Sequence, residues 1–338
     1  MFKQYFKFIV RKLSRNRVYT VINIVGLSIA FSAAWLIYSH TSNEWNMDGY
    51  LKNSDNIYRV ITRYGDEDFW NCRTNTPFGP AAKRTFPEIV QVARYFQKDY
   101  RIKIEDGQDF TIEPKLAFVD PPFFDLFEIP VIQGKIDTTV FSWIVFTETS
   151  AKRYFNKENP IGKTVTIKDG INNRKKDIKC QVVAVIKDFP ANSTIQANII
   201  VDCRQGAPYF DKDRGNYSLY TYFHILPTAD LRAIEKKLPT IASNMPDDVN
   251  HYSHKLQPLK DIYFHSEHLR EDELLRGSQS LTYLLWSITI LILLLAAGNF
   301  LLIRIAQQDR DSSRFAIHKC YGASNKHLFY QLLGEIGL

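Results

Sequence analysis

Cysteine is scarce, catalytic signatures are missing, and two long stretches carry no charge; each absence removes a class of protein. Only Cys72, Cys180, Cys203 and Cys320 occur in 338 residues, too few for a disulfide scaffold. A bridge between Cys180 and Cys203 and a set of free thiols both stay open. There is no GxSxG, no HExxH and no spaced carboxylate pair, and nothing reads as a nucleophile with its base. That argues against covalent chemistry, including a membrane-anchored hydrolase. No internal repeat or low-complexity stretch appears.

The uncharged stretches run from Val18 to Asn43 and from Gly277 to Ile303. The core of the second, Leu281 to Ile303, would span ~34 Å as a helix, enough for a ~30 Å hydrocarbon layer. The first stretch follows a basic leader and is long for a cleavable signal, so it reads as an uncleaved span. Lys3, Lys7, Arg11, Lys12, Arg15 and Arg17 precede it without a single acid. Arg304, Arg310, Arg314, Lys319 and Lys326 follow the second against Asp309, Asp311 and Glu335. Between the stretches 32 cations face 33 acids, so the net charge of +7 sits on the two flanks. By the positive-inside rule both flanks are cytoplasmic and the region between them is outside. A pI near 9.0 therefore reflects juxtamembrane charge rather than nucleic-acid binding, and the mean hydropathy of −0.24 suits two spans plus a large aqueous domain.

Two motifs imitate chemistry. Gly162-Lys163-Thr164 looks like the tail of a P-loop, but Lys157 stands where the motif needs glycine, and the tripeptide runs into a strand instead of a helix. His251-x-x-His254 and His265-x-x-His268 have ligand-like spacing, yet i and i+3 point to opposite faces of a strand and no cysteine or carboxylate pair completes a set. Both pairs read as surface histidines. No cofactor and no metal are expected.

Hydrophobic alternation in the outer region predicts strands at 56–64, 92–96, 100–105, 115–119, 143–147, 164–168, 178–186, 195–201, 219–226 and 255–259. Helices are predicted at 76–86, 123–127, 148–155 and 230–242. Helix-bearing end blocks flanking a strand-rich middle imply an insertion, hence an α+β domain of two subdomains. A fragment from about Glu44 to Glu271 is expected to fold without the membrane. Within the first span, Gly26, Ala30 and Ala34 recur every four residues with Asn23 a turn earlier; with Asn299 in the second span they form a candidate helix-packing face.

Several stretches in order resemble the MacB/FtsX-type permeases of ABC transporters. They are Tyr19 to Leu27 (YTVINIVGL), Asn43 to Asp48 (NEWNMD) with Asn56 to Val60, Phe86-Pro87-Glu88-Ile89, Val119 to Phe124 (VDPPFF), Glu158 to Thr164 (ENPIGKT), Val185 to Pro190 (VIKDFP) and Pro258 to Tyr263 (PLKDIY). The resemblance covers most of the chain. It implies a basic leader (1–17), a first span (18–41), an extracytoplasmic core domain (42–277) and a second span (278–304). Within the core it implies a porter-like subdomain (50–114 and 215–268) holding an inserted one (115–214). A cytoplasmic coupling helix (305–323) and the start of a third span (324–338) would follow, which makes the chain the N-terminal part of a longer permease of the inner membrane.

It also implies a separate cytoplasmic ABC ATPase, a second permease copy or half, and an extracytoplasmic adaptor or cargo, with no nucleic acid and no catalytic residue in the permease. Arg310, Arg314 and His318 share a helix face beside Lys319, and Gly322-Ala323 would break that helix before Ser324 restarts one. The family seats a similar helix on its ATPase, although it usually has Glu, Gly and Arg where this chain has Arg314, Ala316 and His318. ATP-driven motion would then pass through the spans to the outer domain. The alternative is a two-span sensor with an extracytoplasmic ligand-binding domain.

The topology is open to a direct check. In cells with a permeabilised outer envelope, a cysteine replacing Asp169 should react with a membrane-impermeant thiol reagent while native Cys320 stays unlabelled; reversed labelling would overturn the positive-inside assignment.

Overall fold

The computed structural model describes residues 17–65, 68–104, 109–137, 142–168, 177–204, 217–243, 252–270 and 272–320. The chain divides into two compact units, one holding both apolar helices and the other running from Asn43 to Ser278.

The first unit is built on α1 (Arg17–Trp45) and α6 (Gln279–Cys320). Val21–Trp45 and Gln279–Ile303 are long and apolar enough to cross a membrane. Tyr38 meets Trp286 edge-on at 6.1 Å, and a Cβ on Gly26 would lie 3.8 Å from Asn299 Nδ2. Advancing along α1 between these contacts means retreating along α6 by nearly the same length, so the helices run antiparallel. Asn23, Gly26, Leu27, Ala30, Ala33, Ala34 and Ile37 are buried or half-buried, at heptad-like intervals on one stripe. Most other apolar side chains of both helices remain exposed. The second span and the 305–320 stretch are one uninterrupted helix.

In the second unit a split β-α-β sheet carries two helices on one face. β1 (Ile57–Tyr64) leads through short β2 (Trp70–Asn71) and β3 (Thr74–Asn75) to α2 (Phe78–Thr85) and β4 (Ile89–Ile104). The second half returns as β11 (Tyr217–Ile225), α5 (Leu231–Ser243) and β12 (Tyr252–Pro258). Pairing is antiparallel throughout, in the order β12-β1-β11-β4. Ile234, Leu238 and Ile241 of α5 fall at helical spacing and pack with Phe78, Ala82, Val60 and Phe223. Asp230 starts that helix by accepting hydrogen bonds from the backbone N–H groups of Arg232 and Ala233.

Between β4 and β11 the chain inserts β5 (Thr111–Val119), α3 (Phe123–Leu126), β6 (Val131–Gly134), β7 (Trp143–Thr147), α4 (Glu148–Phe155), β8 (Thr164–Lys168), β9 (Ile178–Ile186) and β10 (Ile199–Asp202). Successive pairings β4-β5-β10-β7-β9-β8 return to β4, which closes a six-stranded ring. Ile102, Phe118, Ile144, Phe146, Val165, Ile167, Val182 and Val201 belong to its core. Closure removes the sheet edges that an open inserted sheet would leave.

Several expectations need correction. The strands read at 92–96 and 100–105 are one strand, β4, with a register shift between Lys98 and Tyr100. Its first half pairs β11 and its second half enters the ring, so one strand serves both subdomains. The strand read at 195–201 begins only at Ile199, and β6 was not anticipated because its four residues are all exposed. Cys72, Cys180 and Cys203 are free and buried, and burial pushes the thiols of Cys72 and Cys180 up to about 12.

His254 is not on the surface. Thr62 pairs with it across β1 and β12, and its ring stacks 4.3 Å from Phe78. His265 and His268 are exposed, and His251 lies outside the described residues. Burial pulls His254 from its ordinary 6.5 down to about 3. Below pH 6.5 the unfolded chain therefore takes up a proton that the native protein refuses, and stability falls as pH falls. The loss should reach about 2 kcal/mol by pH 5. Unfolding measured at several pH values should show this slope in the wild type and its absence in His254→Phe; identical profiles would contradict the burial.

Candidate functional site

No catalytic constellation is assembled among the described residues; the polar groups concentrate where the outer domain receives its two connecting segments. On leaving α1 the chain turns sharply. Asp48 adopts a left-handed conformation with φ of 55°, which Asp tolerates better than most residues. Its N–H donates to the Asn192 carbonyl at 2.7 Å. Its carboxylate accepts from Thr194 N at 3.0 Å and Thr194 Oγ1 at 2.6 Å. Burial pushes this carboxyl up from its ordinary value, and the hydrogen bonds from Thr194 pull against that. Asn192 Nδ2 reaches back to the Asn46 carbonyl, and Tyr50 OH donates to Ser193 Oγ. The exit from α1 is thereby fastened to the loop that feeds β10 of the ring.

The segment before α6 is held differently. Gly277 N–H donates to the Tyr263 carbonyl at 2.9 Å, and a Cβ on Gly277 would come within 2.2 Å of the Tyr263 ring. Only glycine fits this contact. Tyr263 OH in turn donates to Glu44 Oε1 at 3.1 Å, and Phe264 lies 5.9 Å from Trp45. Burial together with the Glu44 carboxylate pushes the Tyr263 phenol up to about 12, so it remains a donor at neutral pH. Residues from the end of α1 and from the run into α6 therefore meet through one tyrosine.

Behind this contact lies a buried ion pair. Arg59 of β1 is in phase with Ile57 and Ile61, and all three side chains are buried. Its Nη1 donates to Asp272 Oδ2 at 2.9 Å; both side chains are fully shut off from solvent. Nε and Nη2 donate to Gln257 Oε1 at 3.1 and 2.7 Å, and Nη2 also to Ser266 Oγ at 2.8 Å. The guanidinium thus ties β1, β12, the turn after it and the segment approaching α6. Its satisfaction is what makes a buried arginine tolerable. A second pair, Arg94 with Asp120, joins β4 to the end of β5, with Arg94 Nη1 reaching the Thr76 carbonyl.

The residues singled out from sequence are placed as follows. Ala30 is buried in the α1 stripe, while Asn23, Gly26 and Ala34 are half-buried there. Asn23 Oδ1 is closed to solvent without a hydrogen-bond partner among the described residues. Asn299 sits on α6 against Gly26. Arg310, Arg314, His318 and Lys319 all fall on the last part of α6, the first three at four-residue spacing. Gly322, Ala323 and 324–338 lie outside the described residues, as does most of the basic leader. Gly162 of the false P-loop has a φ of 88°, its N–H is taken by the Val182 carbonyl at 2.8 Å, and the chain runs on into β8.

Sequence reasoning missed Arg59, Asp272, Asp48, Thr194 and Gly277. An arginine in phase with two isoleucines was a readable hint for Arg59; nothing local marks the others. The compact unit continues to Ser278, so a fragment ending at Glu271 would lose Asp272 and the buried Leu274 and strand Arg59 without its partner.

The fold is an α+β domain with an inserted ring whose two ends run into helices long and apolar enough to span a bilayer. Residues 20–241 match the family model of the MacB-like periplasmic core domain, well over half of the chain, and the chain belongs to that family. A domain of a protein assigned as a permease from Porphyromonas gingivalis shares the fold with a TM-score of 0.52 at 18% identity, over 65% of this chain and 95% of that one. The periplasmic region of MacB from Actinobacillus actinomycetemcomitans aligns with a TM-score of 0.42 at 16% identity, over 60% of this chain and 88% of that one. The extracellular domain of the noncanonic ABC-type transporter YknZ from Gram-positive bacteria gives 0.44 at 13%, over 59% and 99%. No curated protein matches the chain significantly.

The ion pair can be tested by stability. Asp272→Ala leaves the Arg59 charge buried and unpaired and should cost about 3–5 kcal/mol in unfolding of the detergent-purified protein. Asp261→Asn, which removes the exposed pairing with His265, should stay within ~0.5 kcal/mol. Equal losses would mean the buried pair contributes nothing special.

Proposed function

We propose that this chain is the membrane subunit of an ABC-type transporter, passing motion from a separate cytoplasmic ATPase to its extracytoplasmic domain for export or extraction of cargo. The observation that carries this reading is the junction: Glu44 and Trp45 at the end of α1 meet Tyr263 and Phe264, and Tyr263 in turn holds Gly277 ahead of α6. Asp48 fastens the same exit to the loop feeding the ring, while Arg59 and Asp272 fasten the other segment to the split β-α-β sheet. A change in spacing of the two helix ends would load both subdomains at once. Membership of the MacB-like family supports the assignment, and in that setting ATP hydrolysis belongs to the partner.

At the cytoplasmic end, Arg310, Arg314 and His318, with Lys319 beside them and Gly322-Ala323 following, are the proposed seat for the ATPase. In the membrane, the Asn23–Gly26–Ala30–Ala34 face and Asn299 are proposed to serve helix packing. The inner membrane, crossed by more than one span, is the proposed location. A second permease copy or half and an extracytoplasmic adaptor or cargo complete the proposed assembly.

The test is ATPase stimulation in a complex reconstituted from the full-length protein and its ATPase. Reversing charge at Arg310 and Arg314 should abolish stimulation with insertion unchanged. Gly277→Ala should weaken it at least several-fold by displacing Tyr263, with the ATPase still bound. Wild-type stimulation in both variants would sink the proposal.

A further inference from the structure

The closed ring turns a basic face outward across four neighbouring strands. Along β4, β8 and β9, Ile102, Val165, Ile167 and Cys180 point into the ring core, so the residues that alternate with them point out. The register sets those outward residues in rows. Ile112 of β5 lies opposite Arg101 of β4, and Arg101 lies opposite Lys168 of β8. Lys103, the next outward residue of β4, lies opposite Thr166, which in turn lies opposite Lys179 of β9. Arg101, Lys168 and Lys179 are exposed and Lys103 is half-buried. Lys168 Nζ rests 5.3 Å from the centroid of the Phe110 ring, just ahead of β5.

Like charges directly opposite each other on neighbouring strands oppose folding, so Arg101 against Lys168 is a pairing that stability alone disfavours. Elsewhere on the ring Lys152, Arg153 and Lys163 meet Glu148, Glu113 and Glu158. Arg101, Lys103, Lys168 and Lys179 make no such ion pair among the described residues, although Asp109 and Asp177 are exposed nearby in the chain. An anion laid on this face would offset the repulsion, and two features say which kind. Arg101 and Lys103 are two residues apart on one strand, about 6.6 Å, which matches alternate carboxylates on an extended peptide. Ile112, 60% exposed, continues the Arg101–Lys168 row with apolar surface that a bare phosphate polymer would leave in water.

We propose that the outer face of β5, β4, β8 and β9 docks an extended acidic segment of a partner protein. Carboxylates at alternate positions of that segment pair with Arg101, Lys103, Lys168 and Lys179, and an apolar side chain beside them covers Ile112. The surface belongs wholly to the outer unit, so its occupancy is independent of coupling to an ATPase.

The full chain in nonionic detergent is titrated at low ionic strength with three labelled probes of equal charge, and binding to protein-free micelles is subtracted. The probes are a peptide alternating Glu with Leu, a peptide alternating Glu with Ser, and a short polyphosphate. The Glu–Leu peptide should bind saturably and tightest, and Ile112→Ser should remove its advantage over the Glu–Ser peptide. Lys168→Glu should weaken both peptides about tenfold, because reversal replaces an attraction with a repulsion. Lys236→Glu, on the exposed side of α5, should change neither by more than about twofold. Because Lys168→Glu also relieves the conflict with Arg101, it should raise the midpoint of thermal unfolding by about 1–3 °C. A lower midpoint would overturn the like-charge conflict on which the proposal stands. No saturable peptide binding to the wild type, or equal weakening by Lys236→Glu, would overturn the docking face. Tighter binding of polyphosphate than of either peptide would overturn the protein partner in favour of a phosphate polymer.

Discussion

The arrangement of the outer domain depends on burying one arginine. Arg59 occupies a core position of β1, an inner strand of the split β-α-β sheet, where a guanidinium without partners would be strongly unfavourable. Its partners come from three later parts of the chain: Gln257 of β12, Ser266 of the turn that follows, and Asp272 just ahead of α6. Satisfying one charge therefore requires β12 to pair with β1, the turn to fold over the sheet end, and the segment entering α6 to lie against the core. An apolar residue at position 59 could pack without specifying any of these. The ion pair gives geometric specificity where hydrophobic burial alone would give only compactness.

From that anchor the rest of the junction follows. Asp272 fixes the segment that ends at Gly277; the missing side chain of Gly277 lets Tyr263 approach; Tyr263 reaches Glu44 at the end of α1. The exit of α1 is caught a second time by the Asp48–Thr194 contact, which belongs to the ring instead of the sheet. Strand β4, shared by sheet and ring, and the Arg94–Asp120 pair keep the two subdomains in register. The two ends of the domain are thus tied by hydrogen bonds to the ring and to the sheet.

The exposed apolar surface divides along the same line. On α1 and α6 it covers most of each helix outside one stripe, as expected of helices in lipid or against further helices. On the outer unit the exposed large apolar side chains among the described residues are Val90, Ile112, Val131, Ile132 and Leu226, besides Trp45 and Leu275, which lie next in the chain to the spans. Phe264 joins Trp45 only through the fold of the turn after β12.

Local sequence determined a good deal by itself. Uncharged runs of span length, the basic residues flanking them and the balanced charge between them fix two apolar helices around one aqueous domain, because desolvating charge in hydrocarbon is prohibitive whatever the tertiary fold. Period-two and helical alternation gave the class of that domain and most of its elements, since each strand or helix must turn an apolar face to a core. The order of short motifs carried the family. What only the tertiary structure decided were relations between residues far apart in the chain. These are the closure of six strands into a ring, the single strand β4 serving two subdomains, the burial of His254 against Phe78, and the meeting of Arg59 with Asp272. None has a local signature, because an aspartate before a span or a histidine in a strand looks the same whether its partner is water or a side chain two hundred residues away. The physical reason is that hydrogen bonds and ion pairs acquire their value from desolvation, and desolvation is a property of the folded whole.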